Sequence, residues 1–130
     1  MARLVFCEDN ALIQKLIAAT LRASEHEVEI VADGLAGLAA IEDRPPDAVF
    51  TDLAMPGMDG FHLCSEIKAR PALAHIPVVV ISASAQRHQI AEAYRRGAAD
   101  YLAKPFSPAE LRAKIEDILT KQSPPPVEAR

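Results

Sequence analysis

Four groups in this chain stand where a short apolar run gives way to polar residues. They are the pair Glu8-Asp9 after Leu4-Val5-Phe6-Cys7, Asp52 after Val49-Phe50-Thr51, Ser82 after Ile76 to Ile81, and Lys104 after Ala99 to Ala103. Carboxylates with no His or Cys beside them suit a hard ion such as Mg2+, which keeps several of its waters. Three carboxylates gathered in one place repel, and the like-charge cost raises the pKa of at least one of them. A divalent cation and the Lys104 ammonium would neutralise such a cluster. An aspartate in that setting can act as a nucleophile that captures a phosphoryl group. The transferring group carries charge on three oxygens, so its capture needs mainly a metal, a cation and hydroxyl or backbone donors. On this reading Asp9 holds the metal directly and Glu8 holds it through water. Lys104 meets one phosphoryl oxygen, the Ser82 hydroxyl meets another, and the small Ala83 leaves room beside them.

That chemistry requires the four groups to share one edge of the fold, and the pattern of elements provides for it. Each apolar run has the length and β-branched content of a strand, and Met55-Pro56-Gly57 cannot continue the one that ends on Asp52. The run Ile76 to Ile81 is unbroken, as expected of a strand covered on both faces. Val28 to Val31 is a weaker strand whose alternation suggests an edge position. Helices fill the gaps. Asn10 is a plausible N-cap for a helix carrying Leu12, Ile13, Leu16, Ile17 and Leu21. Asp33-Gly34 opens a second with Leu35, Leu38 and Ile41 on one face. A third spans about Asp59 to Arg70 with Phe61, Leu63, Cys64 and Ile67, and a fourth runs through Ile90 and Tyr94 to a stop at Gly97. Ser107-Pro108-Ala109-Glu110 is a capping box with Pro at the first helical position, followed by Leu111, Ile115, Ile118 and Leu119. Strand and helix thus alternate five times, which predicts an α/β fold with a parallel sheet, helices on both faces and right-handed crossovers. In such a sheet all strand ends lie on one side, and the ends of the first and third strands flank the point where strand order reverses.

Composition narrows the function classes. At 130 residues, half of them hydrophobic and a quarter charged, the chain fits one globular domain. We expect that domain over residues 1–121, with 122–130 a proline-rich tail or linker. Eighteen acidic against fourteen basic residues give a net charge of −4, which argues against direct nucleic-acid binding. No apolar run is long enough to span a membrane and no signal peptide is evident, so a cytoplasmic location is expected. Cys7 and Cys64 read as buried free thiols. His26, His62, His75 and His88 read as solvated surface, and Arg95-Arg96 as a charge preference at a helix C-terminus. Gly34 and Gly37 form no phosphate-binding fingerprint.

Taken together, the motifs resemble the receiver domain of two-component response regulators over residues 3 to about 121, of the single-domain chemotaxis type. The resemblance rests on Glu8-Asp9, on Thr51-Asp52-Leu53-Ala54-Met55-Pro56-Gly57-Met58-Asp59-Gly60, on Ile81-Ser82-Ala83 and on Lys104-Pro105-Phe106, in this order. It implies a flavodoxin-like sheet of order 2-1-3-4-5. It implies that Asp52 accepts a phosphoryl group from a sensor histidine kinase or a histidine phosphotransfer protein. Mg2+ would be bound by Asp9, Asp52 and the backbone carbonyl of Ala54, with Glu8 reaching it through water, and the Lys104–Pro105 bond would be cis. Ser82 and Tyr101 would form the switch, coupling the site to a partner face that includes Ile90, Tyr94 and Tyr101. That face would meet a downstream protein or a covalently linked output domain.

The acid pair is Glu-Asp rather than the Asp-Asp common in that family. Ala54 and Ser84 flank the path of an attacking water, and Ala54 has no side chain able to orient it, so an altered phosphoryl lifetime is expected. Such a domain assists its own phosphorylation and dephosphorylation and is no conventional enzyme. Two other functions fit the same residues: a small phosphatase with Asp52 as transient nucleophile, or a degenerate receiver acting only as an interaction module. Phosphatases of this kind usually carry a second Asp at the position where this chain has Ala54.

Overall fold

The computed structural model describes residues 2–83 and 87–122. Five strands and five helices alternate: β1 (Arg3–Cys7), α1 (Ala11–Leu21), β2 (Glu27–Val31), α2 (Gly34–Asp43), β3 (Ala48–Asp52), α3 (Gly60–Ala69), β4 (Val78–Ser82), α4 (Arg87–Arg95), β5 (Asp100–Ala103) and α5 (Pro108–Gln122). The sheet is parallel throughout, in the order β2-β1-β3-β4-β5, as the family resemblance implies. The helix α5 runs one residue into the segment expected as tail, and the remaining tail, 123–130, lies outside the described residues. Ser84 lies outside them too.

Strand alternation divides the core into two layers. Val5 and Cys7, Val49, and Val78 and Val80 point to one face, where Leu38 and Ile41 of α2 and Leu63, Cys64 and Ile67 of α3 cover them. Leu4 and Phe6, Phe50, and Val79 and Ile81 point to the other, under Ile17 and Leu21 of α1 and Leu111, Ile115 and Ile118 of α5. Both faces of β3 and β4 are therefore buried, which explains why those strands carry no polar alternation. Phe6 and Phe50 stack across neighbouring strands with centroids 4.7 Å apart.

The helix starts follow the sequence signals. Asn10, Asp33 and Asp59 cap α1, α2 and α3, each side chain accepting an N–H three residues on, from Ile13, Ala36 and His62. At α5 the Ser107 hydroxyl accepts from the Glu110 N–H and Glu110 accepts from the Ser107 N–H, a complete capping box. Two apolar expectations fail. Leu12 is 75% exposed and Leu35 is 61% exposed. At roughly 100° per residue, Leu12 lies about 140° around α1 from Ile17, and Leu35 about 120° around α2 from Ile41, so neither shares the buried stripe.

At the amino edge of the sheet, Arg3 gathers several partners. Its guanidinium reaches Glu27 at 3.3 Å and Glu29 at 2.9 Å on β2 and donates to the Arg44 carbonyl at 2.9 Å, while its backbone N–H donates to Asp47. Arg44 forms a second pair with Glu27 at 2.7 Å. Edge strand, α2 terminus and β3 entry are thereby tied to β1.

The histidines and the arginine pair need two corrections. His26 is half-buried, and its Nδ1 accepts the Ala2 N–H at 3.1 Å, so it is a tertiary contact rather than a solvated group. His62, His75 and His88 are exposed as expected. Arg95 and Arg96 do more than complement a helix end, because both pair with Glu92, at 2.6 and 2.7 Å. Arg96 also sits 5.7 Å over the Phe61 ring and donates to Ser65, linking α4 to α3. Both cysteines are buried free thiols, and burial pushes the Cys7 thiol up to about 12.

Candidate functional site

Register brings the candidate groups level. Cys7 pairs with Thr51, Asp52 with Ile81 and Ser82 with Ala103, so Glu8-Asp9, Asp52, Ser82 and Lys104 leave the sheet side by side. The chain goes outward from β1 to β2 and returns to β3 on the other side, which opens a crevice between the ends of β1 and β3. A cleft of about 730 Å³ lies there, lined among others by Asp9, Asp52, Ala54, Ser82, Ala83 and Lys104.

Local structure holds Asp52 in place. Its Oδ1 accepts the Ala54 N–H at 3.3 Å, which turns the chain out of β3. Gly57 then takes φ +74°, a left-handed conformation that favours glycine. Gly60 passes so close beneath Asp52 that a Cβ there would collide with the Asp52 carbonyl oxygen. Its N–H donates to the Leu53 carbonyl, closing the loop. The Lys104–Pro105 bond is cis, as the resemblance implies.

The charges converge as the strand ends suggest. Lys104 Nζ is 2.6 Å from Asp52 Oδ2 and 2.9 Å from Glu8 Oε1. Glu8, Asp9 and Asp52 each offer an oxygen, all within 4.8 Å of one another. Asp9 is exposed, whereas Asp52 and Ser82 are buried, with 8% and 6% exposure. Glu8 is fully buried. Its second oxygen accepts the Asn10 N–H at 3.0 Å, and its carbonyl accepts from the Gln14 amide.

Burial is the main force raising the Glu8 pKa. Lys104 and the Asn10 N–H oppose the rise, and the Asp52 charge adds to it. Like-charge repulsion, the cause expected from the sequence, is a secondary one. For Lys104, burial works downward, but Asp52 and Glu8 outweigh it and the ammonium titrates higher than usual.

The donor set fits a hard divalent cation. It is all oxygen, and three carboxyl groups share one small cluster with a single lysine ammonium. With one oxygen at Lys104 and the other at Asn10, Glu8 is already engaged, so a contact through water suits it better than direct ligation.

The sequence did not single out every group at the cleft. Met55, Asp59, Phe61 and Gln89 also line it. Asp59 and Phe61 come from the start of α3 and Gln89 from the first turn of α4; Gln89 is the only α4 residue to reach the cleft among the described residues. Lining by α4 depends on how that helix closes over the sheet, and no local motif encodes it.

The switch and partner-face candidates lie on the side formed by α4, β5 and α5. Tyr101 is half-buried and packs against the core layer under α3 and α4. Ile90 is half-buried and Tyr94 is 44% exposed. Beside them Asp100 pairs with Lys114 at 2.9 Å. None of the described helices is long and apolar enough to cross a membrane.

Comparison with known proteins agrees with the geometry. The family model described as the response regulator receiver domain matches residues 4–116. Transcriptional regulatory protein RprY of Bacteroides fragilis is 37% identical over 92% of this chain, which covers 50% of that protein. Response regulator PleD of Caulobacter vibrioides is 36% identical over 90% of this chain, which covers 26% of that protein. The chain thus spans half or less of the length of these curated relatives. Among solved structures, the receiver domain of sensor histidine kinase PA1611 from Pseudomonas aeruginosa superposes with a TM-score of 0.84 at 31% identity, covering 92% of this chain and 98% of that one. That structure has a magnesium ion coordinated in its active-site cleft.

Proposed function

This chain belongs to the response regulator receiver domain family of two-component systems, and from that premise we propose that Asp52 accepts a phosphoryl group from a sensor histidine kinase or a histidine phosphotransfer protein. The observation that carries the reading is the Lys104 ammonium, held between Asp52 and Glu8 in a cluster that also includes Asp9. In the transfer, an Asp52 oxygen forms a bond to phosphorus as the P–N bond of the donor phosphohistidine breaks, and the imidazole leaves with the electron pair. Lys104 moves from Asp52 toward a phosphoryl oxygen, and the Ser82 hydroxyl donates to another. Burial of Asp52 and Ser82 limits competing water.

Asp9, Asp52 and the Ala54 carbonyl would hold Mg2+, with Glu8 reaching it through water, and the bound ion would supply positive charge to offset that of the phosphoryl oxygens. Phosphorylation then draws Ser82 inward. Tyr101 turns into the space vacated, and the face carrying Ile90, Tyr94 and Tyr101 changes shape, a two-state element biased by a local charge. A downstream protein or a linked output domain reads that face in the cytoplasm. The domain assists its own chemistry without turning over an external substrate.

The test is incubation with acetyl phosphate and Mg2+, followed by intact-mass measurement. One phosphoryl group is expected on the native protein and none on Asp52→Asn. An adduct of equal yield on Asp52→Asn sinks the assignment.

A further inference from the structure

The first turn of α3 lies directly against the proposed phosphoacceptor. The Gly60 N–H donates to the Leu53 carbonyl at 2.9 Å, and a Cβ on Gly60 would strike the Asp52 carbonyl oxygen. Phe61, the next residue, is half-buried and lines the cleft that holds Asp52. Where this turn sits therefore governs where the Asp52 backbone sits. Arg96, at the end of α4, grips the same helix. Its guanidinium lies over the Phe61 ring, 5.7 Å from the centroid, and donates to the Ser65 hydroxyl at 3.2 Å, while its carbonyl accepts from the Cys64 thiol at 3.3 Å. Glu92, one turn earlier, aims the guanidinium by pairing with Nε at 2.7 Å. The Arg96 N–H donates to the Glu92 and Ala93 carbonyls, so this residue continues the last turn of α4. Burial alone holds α4 weakly, since of Arg87–Arg95 one residue, Ala93, is buried. The contacts of Arg96 are thus a substantial part of what seats α4 on α3.

We propose that Arg96 is a positioning residue for Asp52, acting through Phe61, an inference that rests on the phosphoacceptor reading above. The chain of contacts runs from Arg96 to Phe61, along one peptide bond to Gly60, and from Gly60 to Asp52. The helix that Arg96 ends also carries Ile90 and Tyr94 of the proposed partner face. A protein that grips that face and shifts α4 pulls on the Phe61 ring and changes the reactivity of Asp52. By linkage, a change at Asp52 alters the affinity for that protein. This route runs on the α3 side of the cleft, apart from Ser82 and Tyr101. Its effect at Asp52 cannot exceed the worth of the contact, about threefold for an exposed cation–π pair.

The experiment measures the rate of phosphorylation by acetyl phosphate in Mg2+, followed by intact mass. It compares native protein, Arg96→Met, Arg96→Lys, Phe61→Leu and the double variant Arg96→Met/Phe61→Leu. Assays run well below each melting temperature, so a loss of global stability does not enter the rate. We expect Arg96→Met and Phe61→Leu each to react about threefold more slowly, and the double variant no more slowly than either. Arg96→Lys, whose ammonium can also lie on the ring, should stay near the native rate. Native rates in both single variants overturn the proposal. So does a double variant slowed by the product of the two factors, which would mean that the two residues act separately. Failure of the native protein to form any adduct overturns the phosphoacceptor reading, and the inference with it.

Discussion

Lys104 Nζ lies 2.6 Å from Asp52 Oδ2, so on the proposed function the cation an incoming phosphoryl group needs already rests on the proposed acceptor. The same contact offsets one of the charges that would attract a metal. Lys104→Met should therefore separate the two roles. Its Mg2+ affinity, read by calorimetry, should rise several-fold because the carboxylates lose their competing ammonium. Its rate of phosphorylation by acetyl phosphate should fall by on the order of 100-fold, as expected when one preorganised charge is removed from such a site. An unchanged rate would show that Lys104 is only structural.

Glu8 is a buried carboxylate paired with the Lys104 ammonium, its pKa raised by burial with Lys104 and the Asn10 N–H opposing the rise. In Glu8→Gln the remaining oxygen can accept the Asn10 N–H, but the amide NH2 then faces the Lys104 ammonium, donor against donor. In EDTA, Glu8→Gln should melt lower than the native protein, by about 5 °C. In Mg2+ the gap should widen, because the variant binds the ion more weakly. Thermal melts in EDTA and in Mg2+ decide the matter, and an unchanged or higher melting point in EDTA would contradict it.

Gly60 has no room for a methyl group against the Asp52 carbonyl. Gly60→Ala must move β3 or α3, at a cost of about 1–3 kcal/mol in urea unfolding. The displacement falls on Asp52 itself, so Mg2+ affinity should drop as well. Ala69, exposed at the end of the same helix, is a control site, where Ala69→Ser should leave both quantities near native values.

The Asp100–Lys114 pair gives a pH signature. Burial works to raise the Asp100 pKa, but Lys114 and the Tyr101 N–H outweigh it, and the folded state holds the carboxyl below its ordinary 3.8. A depressed acid stabilises the fold above its unfolded value, and that contribution is lost as pH falls through the lower folded value. Lys114→Met should thus be less stable than native at neutral pH, by up to about 1 kcal/mol. The two curves should converge well below pH 3.8 in denaturant titrations. A gap that persists there would assign the effect to packing of the lysine stem.

The elements were legible because β1, β3 and β4 are short apolar runs and four of the helices open on a recognisable cap, Asn10, Asp33, Asp59 and Ser107. The site was legible for a topological reason. A parallel sheet sends every strand end to one edge, so Asp9, Asp52, Ser82 and Lys104 meet without any contact having to be guessed. What was not legible depends on how side chains turn once they arrive. Glu8 and Asp9 are adjacent in sequence, yet one is fully buried against Lys104 and the other faces solvent. Leu12 and Leu35 satisfied helical spacing, but spacing gives the period of a stripe and not its edges. His26 meets the Ala2 N–H and Gln89 lines the cleft, placements among residues distant in sequence that no local pattern records.

The web around Arg3 bears on how this domain behaves in a crowded solution. Among the described residues the outer edge of β2 has no strand beside it, and such an edge is the natural place for a second molecule to add one. Glu27 and Glu29 stand on that strand, and Arg3 and Arg44 keep both close to a cation. An intruding strand would have to strip water from these charges and disturb their pairing. The contacts that fasten the sheet at its amino edge therefore also guard it against aggregation.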